Sequence, residues 1–163
     1  MPANQSLPAS PAVITTEAQA IPADFPHYLW LMEQRQHAQA AGESDVLALI
    51  EDGLADGARC QAAWRQVLAM TGGQLEGVEL ATRDGNRFAA ILRDPTEPGR
   101  WRAQFYDAHG FSGHQVEKAP ADVLESLIRD GFHVQATGAM QRLSQTATWA
   151  AGTRWAAQLA TAS

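Results

Sequence analysis

The chain has 163 residues, of which 45% are hydrophobic and 18% charged. This composition is typical of a globular protein, and the chain is long enough for one domain but too short for two ordinary ones. Its only cysteine, Cys60, excludes an internal disulfide, and no apolar run reaches the roughly 18 to 20 residues that span a bilayer. The first residues also lack the basic start and apolar centre of a secretory signal. These features together predict a cytoplasmic protein.

Charge is distributed unevenly. Residues 17–79 contain ten acidic residues against three arginines, a balance of −7, whereas residues 80–163 contain eight acidic against nine basic residues, a balance of +1. The first part repels nucleic acid at long range, so a local basic surface can matter only in the second. Eleven of the twelve basic residues are arginine, which together with the many alanines is typical of a GC-rich bacterial genome.

Residues 1–23 are predicted to form a disordered tail. Prolines recur through this stretch of small and polar residues, and Val13 and Ile14 are its one adjacent aliphatic pair. Such a segment cannot bury enough surface to offset the entropy of ordering it. An alternative is that Val13 and Ile14 dock on a partner.

A single domain over residues 24–163 is predicted to begin with a helical subregion, 24–71. Asp24 is the expected N-cap of a helix over 26–41 that ends at Gly42. The side of that helix predicted to face inward is an apolar stripe of Tyr28, Leu29, Leu31 and Met32. Trp30 lies partly off this stripe. Glycines then predict two further helices, 44–53 and 58–70, and we expect all three to pack against a sheet.

Residues 78–135 carry the strongest pattern, that of a sheet-plus-helix core. Alternating side chains predict strands over 78–82, 87–93, 100–107 and 111–116. Asp84 and Gly85 indicate a two-residue hairpin turn. Pro120 begins a helix whose apolar face lies between Val123 and Ile128, and a short extended piece follows. The pattern predicts an α+β fold: an antiparallel β-meander of three to four strands packed on a helix, with flanking N-terminal and C-terminal helices, the last over 138–160.

The turn-rich strand pair, the helix that follows it, and Gly131 and Phe132 at the end of that helix resemble, in a general way, small accessory proteins carried on bacterial plasmids and integrative elements. The resemblance implies a bacterial accessory role and covers the middle third of the chain.

Strand alternation also predicts a candidate binding surface. If Phe88, Leu92, Trp101 and Phe105 point toward the helix, the polar residues between them must share the other sheet face. These are Arg87, Arg93, Arg100, Arg102, Gln104 and Tyr106. Arginines can reach phosphates and base edges, but such a face can equally contact protein, be covered by the acidic N-terminal helices, or face water.

A second candidate site involves histidine. His109 and His114 flank a glycine-containing turn close to Asp107, which could provide acid–base chemistry or two metal ligands. Their spacing matches no metal motif, and polar residues of an exposed turn are the simpler interpretation. Cys60 has helical spacing with Trp64 and Val67, so we expect a small core residue.

The sequence therefore predicts a non-enzymatic binding or regulatory protein that works through a protein surface, with a protein partner or self-association and no cofactor, metal or membrane. A nucleic-acid-binding module using the arginine-rich face is one alternative. A small metal- or histidine-dependent enzyme at His109 and His114 is the other.

Overall fold

A computed structural model describes residues 20–161, so the Val13 and Ile14 pair lies outside the described residues. The helices are α1 (Pro26–Ala41), α2 (Ser44–Thr71), α3 (Pro120–Arg129), α4 (Ala139–Ser144) and α5 (Ala147–Thr161). The strands are β1 (Glu79–Thr82), β2 (Phe88–Arg93), β3 (Trp101–Asp107), β4 (Gly110–Glu117) and β5 (Phe132–Gln135). Within residues 20–161, no helix combines the length and the apolar character that crossing a membrane requires.

The five strands form one antiparallel sheet in the order β4-β3-β2-β1-β5, which confirms the predicted α+β class. The sheet has one strand more than the predicted meander, because the extended piece after α3 returns to pair with β1, placing Val134 opposite Ala81. The turn between β1 and β2 spans residues 83–86 rather than two residues, since the Thr82 amide donates to the Arg87 carbonyl at 3.0 Å.

The main core lies between one face of the sheet, α3 and the second half of α2. Side chains with no exposed surface come from all three, including Trp64, Ile91 and Leu127. The apolar face of α3 is the predicted one, since Val123, Leu124 and Ile128 are also fully buried. Burial of each such side chain contributes about 1.5 to 3 kcal/mol relative to leaving it in water.

A single 28-residue helix, α2, replaces the two helices predicted on either side of Gly53. The prediction of a break is wrong because Gly53 and Gly57 face α1. A Cβ atom at Gly57 would lie 3.1 Å from both Leu31 Cδ1 and Tyr28 Cδ2. These glycines therefore bring α1 and α2 close together, and the packing offsets their low helix propensity.

The start of α1 also differs from the prediction, since the N-cap is Phe25 and makes no side-chain cap hydrogen bond. Asp24 instead accepts hydrogen bonds from Arg65 Nη2 at 2.6 Å and from Gln61, both on α2, and these bonds hold its pKa below the usual value. Leu29 was predicted to face inward but is half exposed. Leu31 and Ala38 face α2, and helical geometry then turns Leu29 away from it.

The C-terminal segment forms two helices, whereas one was predicted over 138–160. Thr146 separates them, because its Oγ1 accepts the Trp149 amide at 3.2 Å and so begins α5. The Trp149 ring is buried against the second face of the sheet. Further along α5, a Cβ at Gly152 would lie 1.9 Å from the His109 carbonyl oxygen, so the helix crosses the β3–β4 turn in direct backbone contact.

Candidate functional surfaces

The sheet register divides the predicted arginine surface between two faces. Arg93 pairs with Trp101 and Leu92 pairs with Arg102, and directly paired residues share a face. The ring of Trp101 packs on the main core, so Arg93, and Arg87 six residues before it, lie on the side of α3. Arg102, Gln104 and Tyr106 lie on the other side. The prediction that all six residues share one surface is therefore wrong for Arg87 and Arg93.

The error comes from β2. Its Ala89 and Ile91 are buried in the main core, while Phe88 and Leu92 pack on the second face. With apolar residues on both sides, the hydrophobic pattern does not determine which face is which.

Each arginine of the predicted surface has a partner within the protein. Arg93 lies over the Trp101 ring at 4.0 Å and pairs with Glu76, while Arg100 pairs with Glu97 at 3.5 Å. Arg87 lies over the Phe132 ring at 5.4 Å. The positive charge is thus largely used in internal contacts, which reduces what a phosphate backbone could gain.

Arg102 is the most deeply placed of these arginines and belongs to a network around Asp94. Asp94 Oδ2 accepts from Arg102 Nε at 3.0 Å, and Oδ1 accepts from the Thr96 hydroxyl and from the amides of Thr96 and Glu97. The Thr96 hydroxyl, the two amides and Arg102 together hold the pKa of Asp94 well below its usual range. This arrangement fastens the connection between β2 and β3.

The second sheet face is covered in part by α4 and α5, not by the acidic N-terminal helices. Tyr106 is buried beneath Trp149, with 6.2 Å between ring centroids. The Glu79 carboxylate accepts the amides of Ala139 and Met140, which joins α4 to β1. Burial and the charge of Glu79 raise the pKa of Tyr106. No residue among 20–161 lies at the distance and angle of a hydrogen bond to its hydroxyl.

The histidine candidate is divided in the same way. Asp107 and His109 line a shallow groove of about 490 Å³ between the β3–β4 turn and α5, together with the exposed rings of Phe111 and Trp155. His114 does not line this groove; it pairs with Gln104 further along β4. Among residues 20–161, no three His, Cys, Asp or Glu side chains are grouped so as to hold a metal ion.

Cys60 is buried and lines a cavity of about 230 Å³ at the corner between α1, α2 and α3. His27, Asp56 and Arg129 also line it. Burial, and then the negative charge of Asp56, raise the pKa of the Cys60 thiol. The thiol is therefore kept protonated, as suits a small core residue rather than a nucleophile.

An open apolar surface runs outward from that cavity along α1 and α2, and we call it the hairpin groove. His27, Trp30 and Gln34 follow one another at spacings of three and four on α1, so they share a side of that helix. On α2, the matching line is Val46, Leu49, Gly53, Asp56 and Cys60. Because His27, Gly53, Asp56 and Cys60 all line the corner cavity, the two lines belong to the same side of the hairpin.

Three large side chains of the hairpin groove are exposed: Trp30 at 51%, Val46 at 42% and Leu49 at 75%. They are not needed to join the helices, since Leu31, Ala38 and Ile50 form a buried cluster between α1 and α2. The Trp30 ring stacks on His27 with 5.5 Å between centroids, which fixes its position at one end of the groove. The groove is therefore a preformed apolar surface facing water.

Sequence reasoning did not identify this groove. It placed Trp30 partly off the apolar stripe, and it predicted a helix over 44–53, which contains Val46, Leu47, Leu49 and Ile50, without stating which of them would be exposed. The available signal was the width of that set: two adjacent apolar pairs cover more of the helix circumference than a single partner helix can bury.

Comparison of the chain with protein-family models, with curated proteins and with solved structures finds no match in any of the three.

Proposed function

We propose that this is a non-enzymatic binding protein that captures another protein through the hairpin groove. The observation that carries the proposal is the exposure of Trp30, Val46 and Leu49 on one side of a hairpin whose own core is already closed by other residues. Exposed apolar side chains grouped in this way are typical of a surface that a partner covers. A groove between two helices suits an amphipathic helix, whose apolar face would lie along it.

Nucleic-acid binding through the arginines has less support, because Arg93, Arg100 and Arg102 all pair with carboxylates of the protein itself. The enzyme alternative has less support because His109 and His114 do not line one cavity. A bacterial accessory role and a cytoplasmic location stay predictions from the sequence.

A direct test uses an uncharged amphipathic peptide of leucine and glutamine, titrated into the full chain and followed by calorimetry. We expect saturable binding that Leu49→Ser weakens about tenfold or more, because one buried leucine contributes about 1.5 to 3 kcal/mol.

Leu159→Ser is the matched control. Leu159 is also an exposed leucine, at 53%, but it lies on α5, outside the hairpin. It should leave the affinity unchanged. No saturable binding, or an equal loss in both variants, would exclude the hairpin groove as the binding surface.

A further inference from the structure

The hairpin groove has acidic edges, and they restrict what can lie in it. On α2, Asp45 and Asp52 are seven residues apart and so lie on one line, next to the line of Val46 and Leu49. On α1, Glu33 lies beside the line of Trp30 and Gln34. Carboxylates therefore border the apolar floor on both helices.

The basic residues of the hairpin do not neutralise these edges. Arg35 pairs with Glu51 at 2.6 Å, Arg59 with Asp56 at 2.7 Å and Arg65 with Asp24 at 2.6 Å. Within residues 20–161, Asp45 and Asp52 form no ion pair, and Glu33 is near only His37, at 3.9 Å. The edges thus present negative charge to whatever lies between them.

From this arrangement we infer that the partner segment is a basic amphipathic helix, with apolar residues on one face and lysine or arginine along both borders of that face. This rests on the proposed function. The apolar face would cover Trp30, Val46 and Leu49, and the flanking cations would meet Glu33, Asp45 and Asp52. Electrostatic complementarity of this kind selects partners and speeds their encounter.

Other occupants fit the charges less well. An anionic lipid surface or a nucleic acid would be repelled by the same carboxylates. A second copy of the chain offers no strongly basic helix among residues 20–161, since each helix other than α2 contains one basic residue, and the arginines of α2 are paired.

The test compares three synthetic helical peptides that share one leucine face and differ at the flanking positions, which carry lysine, glutamine or glutamate. At low salt, the full chain should bind the lysine peptide at least about tenfold more tightly than the glutamate peptide. The difference should shrink as ionic strength rises, because about 0.1 M salt screens charges beyond roughly 10 Å.

Neutralising the edges should remove the preference and leave binding of the glutamine peptide unchanged; the variant is Glu33→Gln with Asp45→Asn and Asp52→Asn. Its matched control removes the same number of carboxylates from the β2–β3 connection, β4 and α3, as Glu97→Gln with Glu117→Gln and Glu125→Gln, and should keep the preference. Circular dichroism of both variants establishes that each is folded.

The remaining outcomes separate this inference from the proposed function. Equal binding of all three peptides, still sensitive to Leu49→Ser, would overturn the inference and leave the proposed function standing. Dimerisation of the chain that Leu49→Ser abolishes would assign the groove to a second copy and also overturn it. Binding of no peptide, without dimerisation, would overturn both.

Discussion

Asp94 illustrates how much a single side chain contributes beyond what its position in the sequence indicates. The connection after β2 was predictable from Pro95, Pro98 and Gly99, which cannot continue a strand ladder. That the Asp94 carboxylate has no exposed surface and binds Arg102 could not be predicted, because the two residues meet only when β2 and β3 pair. Arg102 is consequently a structural residue before it is a candidate for binding.

The pKa of Asp94 makes stability depend on pH in a defined direction. Its folded pKa lies below the ordinary value of 3.8, so the carboxylate stabilises the fold above about pH 4, and this contribution is lost as pH falls through the folded pKa. We expect Asp94→Asn to lower the urea midpoint at pH 7. Between pH 5 and pH 3, the midpoint of this variant should fall less steeply than that of the parent.

Asp52→Asn is the control, because Asp52 is exposed on α2 and its carboxylate forms no hydrogen bond or ion pair among residues 20–161. It should keep the parent's dependence of midpoint on pH. If Asp94→Asn and the parent lose stability in parallel on acidification, the Asp94 network is not the source of the acid sensitivity.

At the scale of single elements, glycines inside helices have two different roles. Gly53 lies opposite Leu31, and a Cβ there would meet Leu31 Cδ2 at 3.5 Å, an ordinary contact. Gly152 lies against the backbone of the β3–β4 turn, where there is no room for a Cβ. Both residues look like helix breakers in the sequence, yet both helices continue through them because the packing against α1 and against the turn is favourable.

Alanine at the two positions should therefore change stability in opposite directions. We expect Gly53→Ala to raise the free energy of unfolding by about 0.5 to 1 kcal/mol, since it restricts the unfolded chain and favours the helix. Gly152→Ala should lower it by about 1 to 3 kcal/mol, because α5 must move off the turn. Urea unfolding of the two variants measures both changes, and a gain in stability at Gly152 would contradict the close crossing.

At the scale of the whole molecule, the protein has a main core and a smaller hairpin cluster. The main core joins α3, the sheet and the second half of α2, whereas Leu31, Ala38 and Ile50 join only α1 to the first half of α2. The outer hairpin therefore depends on fewer buried side chains and should open locally at lower cost than the rest.

Hydrogen exchange can test this division. Ile50→Ala should accelerate exchange in the outer part of α1 and α2 and leave the sheet amides unchanged. Leu127→Ala, in the main core, should lower the free energy of unfolding by about 2 to 5 kcal/mol and accelerate exchange throughout the slowest amides. Uniform acceleration by Ile50→Ala would mean that the hairpin and the sheet unfold as one unit.

The sequence by itself determined where several elements lie and which residues alternate or repeat along them. The bounds of α1, the apolar face of α3 and the alternation of β3 follow from periodicity, and turn residues placed the connections. These features are local, since each depends on residues a few positions apart.

Tertiary structure decided the rest, because it depends on contacts between distant residues. A partner far along the chain determines which face of β2 meets the main core and that β5 pairs with β1. Packing against α1 likewise determines that α2 continues through Gly53. The hairpin groove belongs to the same group: Trp30 and Leu49 become one surface only when α1 and α2 pack side by side. A sequence lists the apolar residues, and the packing determines which of them are left facing water.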